Sequence, residues 1–351
     1  MLGLGITAVM IAVQFLETGL NTIVKAANTN GMSNFVYIVY SNALAFCVLL
    51  PSTYIYHRKK PTPPITTSII LRILLLTVLS CSVQILMYSG IGYSSPTLSS
   101  AMMDLLPAFT FILAIISRME NLNPKLQSCQ AKVLGTVISI VGALTITLYK
   151  GMPIISGRLP KNTLGGLFLS EKSNWLLGGF LCAAGTFSLS LLLIVQAWIL
   201  KDYPAELMLT TICCGFVVIL STIIALIAEH NPTAWVLRPN MELVAIFYSA
   251  IFVVTVRSVA TAWACRKKGP LYVSMFNPLG MVIAIGMGFI FLGDALYLGS
   301  MIGAAIVAFG FYAVLWGQTQ EEEIVDEKNR TYASVSSSSS TPLLQDKSTP
   351  V

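Results

Sequence analysis

Three charged residues stand in the middle zone of long apolar runs of this 351-residue chain: Glu17, Asp104 and Arg257. A charge at bilayer depth is costly, so such residues face other helices, one another or a water-filled cavity. Glu17 lies in "QFLETGLNTIVKAA" (14–27), where Gln14, Glu17, Asn21 and Lys25 recur at spacings of three and four. On a helix those positions fall within roughly 80° of one face. Two acids and one base at this depth suit recognition. A carboxylate meets an ammonium, and a guanidinium takes a carboxylate bidentately. Two acids beside one base also leave one carboxylate uncompensated, which makes Glu17 and Asp104 candidates for proton coupling. The alternative is structural, with Arg257 as the ion-pair partner of Asp104 or Glu17.

The elements that would position these residues are transmembrane helices. The chain is 55% hydrophobic and only 10% charged, against about a quarter charged for a soluble domain. Runs long enough to cross a bilayer fall at 3–26, 34–56, 68–92, 97–117, 130–149, 175–199, 204–228, 241–264, 271–292 and 297–317. The expected fold is an all-α integral membrane protein with ten transmembrane helices. The net charge of +6 does not point to nucleic acid, because the basic residues flank apolar runs as topology determinants do. Arg58, Lys59, Lys60, Arg72, Arg118, Lys125, Lys132, Lys201, Arg266, Lys267 and Lys268 fall on one side. Lys25, Lys150, Arg158, Lys161, Lys172 and Arg238 fall on the other, so both termini are expected in the cytoplasm. Residues 318–351 are polar and Ser-rich and read as a disordered cytoplasmic tail.

By helical rise, Glu17 lies roughly 21 Å, Asp104 roughly 12 Å and Arg257 roughly 13 Å from an end of its run, all in the middle zone. "SPTLSSAMMDLLPAFTFILAIISRME" (95–120) matches "GPLYVSMFNPLGMVIAIGMGFIFLGD" (269–294). At one offset Pro96 aligns with Pro270, Ser100 with Ser274 and Glu120 with Asp294. Gly135 and Gly142 repeat near the spacing of Gly303 and Gly310; close helix packing is the reading preferred for these glycines. Five helices per half is odd, so the halves must be inverted, an architecture that places a substrate site at the midplane. The expected division is a first repeat at 1–149, an extracytoplasmic connection at 150–174, a second repeat at 175–317 and the tail at 318–351. Candidate cavity residues are Gln14, Glu17, Asn21, Gln84, Ser100, Asp104, Arg257, Ser274 and Asn277. For Asn21, Gln84 and Gln196 interhelical hydrogen bonding is the preferred reading. Pro278 is expected to free a backbone carbonyl or simply to kink its helix. The two histidines, His57 and His230, lie in loops, and no HExxH or GxSxG occurs, so an enzyme, metal or cofactor is not expected. Mixed intramembrane charges argue against a channel with rings of one charge.

"GMSNFVYIVYSNALA" (31–45), "SPTLSSAMMDLLPAFTF" (95–111), "RMENL" (118–122), "YPAEL" (203–207), "KKGPLYVSMFNPL" (267–279) and "LGDALYLGSMIGAAIVAFGFY" (292–312) resemble the plant Walls-are-thin-related transporters, the UMAMIT family. These carry two EamA-type repeats and fall in the drug/metabolite transporter superfamily. The resemblance implies ten helices in two inverted five-helix repeats, a central cavity, and carriage of amino acids or related small organic solutes. Auxin or another small organic acid at the vacuolar membrane is the alternative. It also implies the plasma membrane, a bilayer and a small molecule as partners. Ser41 and Asn42 stand where the family often has a basic residue, and Glu17, Asp104 and Arg257 add charge where small or polar residues are common.

Overall fold

The computed structural model describes residues 2–28, 34–58, 66–93, 96–119, 126–149, 152–155, 175–229, 235, 241–287, 289–290 and 296–338. Hydrocarbon offers no partner for backbone N–H and C=O, so each apolar run closes its hydrogen bonds internally as helix. The first three crossings are continuous: α1 (Leu2–Asn28), α2 (Asn34–His57) and α3 (Thr67–Tyr93). The fourth is broken into α4 (Pro96–Met103) and α5 (Leu106–Ile116), and the fifth is α6 (Gln127–Leu148). The sixth and seventh are α7 (Trp175–Asp202) and α8 (Glu206–Ala228). The eighth joins α9 (Met241–Tyr248), a π-helical stretch Ser249–Arg257 and α10 (Ser258–Lys268). The ninth is broken into α11 (Pro270–Ser274) and α12 (Phe276–Met287), and the tenth begins α13 (Leu298–Ser338). Among the described residues nine stretches are long and apolar enough to cross a membrane; α1 adds the shorter apolar stretch Gly5–Leu20. The protein is an all-α, multi-pass integral membrane protein.

Proline explains both broken crossings. Pro107 cannot donate to the carbonyl of Met103, where α4 ends, and Pro278 cannot donate to that of Ser274, where α11 ends. The Met103 carbonyl is instead taken by the Asn277 side-chain amide at 3.0 Å, so the two breaks are tied together.

Two expectations are corrected. A short antiparallel ribbon pairs β1 (Pro153–Ile155) with β2 (Leu296–Tyr297), joining the segments outside the fifth and tenth crossings. The tail is not disordered from residue 318: α13 runs on to Ser338. Its exit from the crossing is pinned, because Gln318 donates to the Lys268 carbonyl at 2.9 Å and Glu321 pairs with the buried Lys132. Glu and Lys beyond that point have good helix propensity. Residues 339–351, the connection 156–174, Glu120 and Asp294 lie outside the described residues.

The packing is self-consistent under an exchange of each crossing with the one five later. The fifth packs on the tenth and the second on the seventh, pairs that map onto themselves. The third packs on the sixth as the eighth packs on the first, and the fourth on the sixth as the ninth on the first. The seam between α6 and α13 shows the same exchange at atomic scale. A Cβ on Gly135 would come 2.7 Å from the Gly310 carbonyl oxygen, and one on Gly142 2.9 Å from that of Gly303. Midway, the Ser139 hydroxyl reaches the Val307 carbonyl at 3.4 Å. Small residues here let two backbones touch, which is how helices associate where the solvent is itself apolar.

Gly142→Ala and Gly310→Ala are therefore expected to lower the melting temperature of the purified protein, each by the equivalent of about 1–3 kcal/mol of overpacking. A Cβ on Gly286 would meet nothing within 4 Å, so Gly286→Ala is the neutral control. Equal melting temperatures for all three would contradict a tight seam.

Candidate functional site

Eight of the crossings enclose a cavity of about 390 Å³; α6 and α13, which form the glycine seam, contribute nothing to its lining. The first crossing supplies Gln14 and Glu17, the second Ser41 and Asn42, and the third Ser80 and Gln84. The sixth supplies Gln196, the eighth Ser249, Arg257, Ser258 and Thr261, and the ninth Ser274 and Asn277. Among the described lining residues, Glu17 and Arg257 are the charged ones.

They form an ion pair, Arg257 Nε to Glu17 Oε2 at 3.1 Å. Their side chains keep 37% and 26% exposure, so the cavity, not the lipid, solvates them. Arg257 ends the π-helical stretch. The wide turn of that stretch brings Ser249, Val253, Val254 and Arg257 onto the cavity wall together. The Thr255 hydroxyl donates to the carbonyl of Ala250, five residues back, at 2.8 Å. Just before the stretch, the Tyr248 hydroxyl donates to the Leu16 carbonyl at 3.1 Å. A Cβ on Gly19 would lie 3.0 Å from that hydroxyl, so glycine leaves it room. The π-helical stretch is thus fastened at both ends to consecutive residues of α1, Leu16 and Glu17.

Of the residues expected from sequence, Gln14, Glu17, Gln84, Arg257, Ser274 and Asn277 line this cavity. Asn21 and Lys25 lie in α1, but their side chains are outside the described residues. Ser100 and Asp104 do not line it. Asp104 is 1% exposed and accepts a hydrogen bond from Thr147 on α6 at 3.2 Å. The break forced by Pro107 begins at this residue, just past α4, which packs on α6. Among the described residues of the fourth crossing, Leu106 is the one that reaches the lining. The pairing of two acids with Arg257 is corrected accordingly: Glu17 is the partner and Asp104 is elsewhere.

Sequence reasoning missed Ser41, Asn42, Ser80, Ser249, Ser258 and Thr261. Ser and Thr inside membrane helices commonly bond their own backbone, so their types carry little signal. Toward the chain termini the cavity borders an apolar cluster that includes Ile6, Met10, Leu193, Tyr272, Phe276 and Phe311. Thr7 and Tyr272 share a hydrogen bond of 2.7 Å beside it. The arrangement places one acid and one base side by side on the wall of a cavity otherwise lined by polar and apolar side chains.

Breaking a fully buried ion pair on one side costs about 3–5 kcal/mol. This pair is partly hydrated, so a double-mutant cycle of Glu17→Gln and Arg257→Gln is expected to return a coupling nearer about 1–2 kcal/mol in thermal stability. A coupling of zero would show that the two charges are independent.

No family model matches the chain. It is 43% identical over 331 residues to WAT1-related protein At3g28050 of Arabidopsis thaliana, covering 93% of this chain and 89% of that protein. It is 40% identical to WAT1-related protein At5g40240 of the same plant, over 96% of this chain and 91% of that one. WAT1-related protein At5g40210, also from Arabidopsis thaliana, is 40% identical over 91% of this chain and 90% of its own length. A protein crystal structure only 12% identical superimposes with a TM-score of 0.67 over 88% of this chain and 98% of that one, a likeness of fold alone. With its membrane helices and near full-length identity to these relatives, the chain belongs to the plant WAT1-related protein family.

Proposed function

We propose that the protein is a membrane carrier for amino acids or related small organic solutes, moving them in either direction by alternating access about the cavity. The moving units are the two five-helix repeats, 1–149 and 175–317. The observation that carries this reading is the Glu17–Arg257 ion pair in a cavity lined by residues of both. Glu17 engages Arg257 through Nε, which leaves the end-on fork of the guanidinium for a substrate carboxylate. Glu17 then meets the substrate ammonium. A zwitterion satisfies both charges at once. An organic acid such as auxin would satisfy Arg257 and leave Glu17 uncompensated, so the paired site favours the zwitterion. The termini are assigned to the cytoplasm and the protein to the plasma membrane, on the distribution of basic residues and the family resemblance.

The test is uptake and efflux of a labelled amino-acid panel, with indole-acetic acid alongside, in cells expressing the chain. Glu17→Gln and Arg257→Gln are expected to lower amino-acid flux per surface molecule at least about tenfold, the loss of one charge-assisted contact. Parent-like flux in both variants at every pH would make the pair structural. A loss in Glu17→Gln confined to one pH range would instead identify Glu17 as a proton carrier. The sequon Asn329 should remain unglycosylated, since a cytoplasmic tail never enters the lumen; a glycan there would reverse the orientation.

A further inference from the structure

We propose that Gln196 reads the side chain of the carried amino acid, so that neutral amino acids with amide or hydroxyl side chains are preferred over aliphatic ones of similar size. This rests on the amino-acid reading above. Gln196 lines the cavity, is 8% exposed, and its Oε1 is buried with no hydrogen-bond partner among the described residues. Of the described cavity-lining residues, it is the one with such a deficit. Two other polar residues of the lining are already committed: Asn277 donates to the Met103 carbonyl and Ser274 to the Leu271 carbonyl. The deficit is at the amide oxygen, and a ligand N–H or O–H can answer it.

The level of Gln196 suits a side chain. By helical rise it lies roughly 9 Å from the end of α7, whereas Arg257 lies roughly 16 Å from the corresponding end of α10. Relative to a zwitterion held at Glu17 and Arg257, the amide thus lies one layer nearer the chain termini, on the same cavity wall that carries Leu192 and Leu193. A buried polar group left unpaired by the wrong ligand discriminates more strongly than an apolar pocket of the same shape.

The experiment compares kcat/KM for labelled glutamine and methionine, near isosteres, with full-length protein in proteoliposomes. The parent is expected to prefer glutamine by about tenfold or more. Gln196→Met should bring the ratio close to one by lowering glutamine flux while methionine flux holds or rises. An unchanged ratio in Gln196→Met overturns the proposal. Should that variant not insert, the parent decides: equal treatment of glutamine and methionine also overturns it. Amino-acid flux without dependence on Gln196 defeats this inference alone, whereas no amino-acid flux at all defeats the carrier reading with it.

Discussion

The constraint on which the centre of this protein depends is the placement of one acid and one base in a medium that solvates neither. Lipid cannot hold Glu17 or Arg257, so the helices must part and admit water around them. Parting the helices creates further demands. The eighth crossing widens into a π-helical stretch to bring Arg257 to the wall, and Tyr248 and Arg257 fasten its two ends to α1. Those contacts cross from the first five crossings to the last five. The cavity is therefore a joint product of both halves and cannot be built from either.

The opposite demand, close contact, is met by α6 and α13. Their glycines let the backbones touch over Gly135–Gly310 and Gly142–Gly303, and neither helix gives a side chain to the cavity. The seam thus joins the halves on one flank while the charged cavity separates them in the middle. Symmetry of packing does not extend to charge. The offset that aligns Pro96 with Pro270 places Val83 opposite Arg257, and α3 runs as regular helix where the eighth crossing is π-helical. Backbone packing is shared by the halves; the charges of the described cavity lining are concentrated at one pair of crossings.

Much of the architecture was legible because hydrophobic length is a strong signal: ten apolar runs became ten crossings. The glycine pairs also pointed correctly, since small residues at that spacing let two membrane helices touch. Asp104 was misplaced because residue type and depth do not give azimuth. Its helix stops at Met103, and a regular 100° step cannot be carried through that break. The helical continuation past residue 317 was hidden for a different reason. Its support comes from Lys132 and Lys268, distant in sequence, and composition cannot report such contacts.

Glu17 and Asp104 show how the same chemistry is put to different uses by neighbours. Asp104 has one hydroxyl for a partner and is shut off from water, a setting that ties the broken fourth crossing to α6. Glu17 keeps a quarter of its side chain exposed and faces a guanidinium. A carboxylate that must exchange partners during a cycle needs water to cover the interval between them, because an unpaired charge in a dry site is prohibitive. Of the two, Glu17 lines the cavity and Asp104 does not. The apolar cluster around Tyr272 and Phe276 shares Met10, Leu193 and Val273 with the cavity lining and includes neither charge, so apolar packing and the ion pair occupy different parts of the wall.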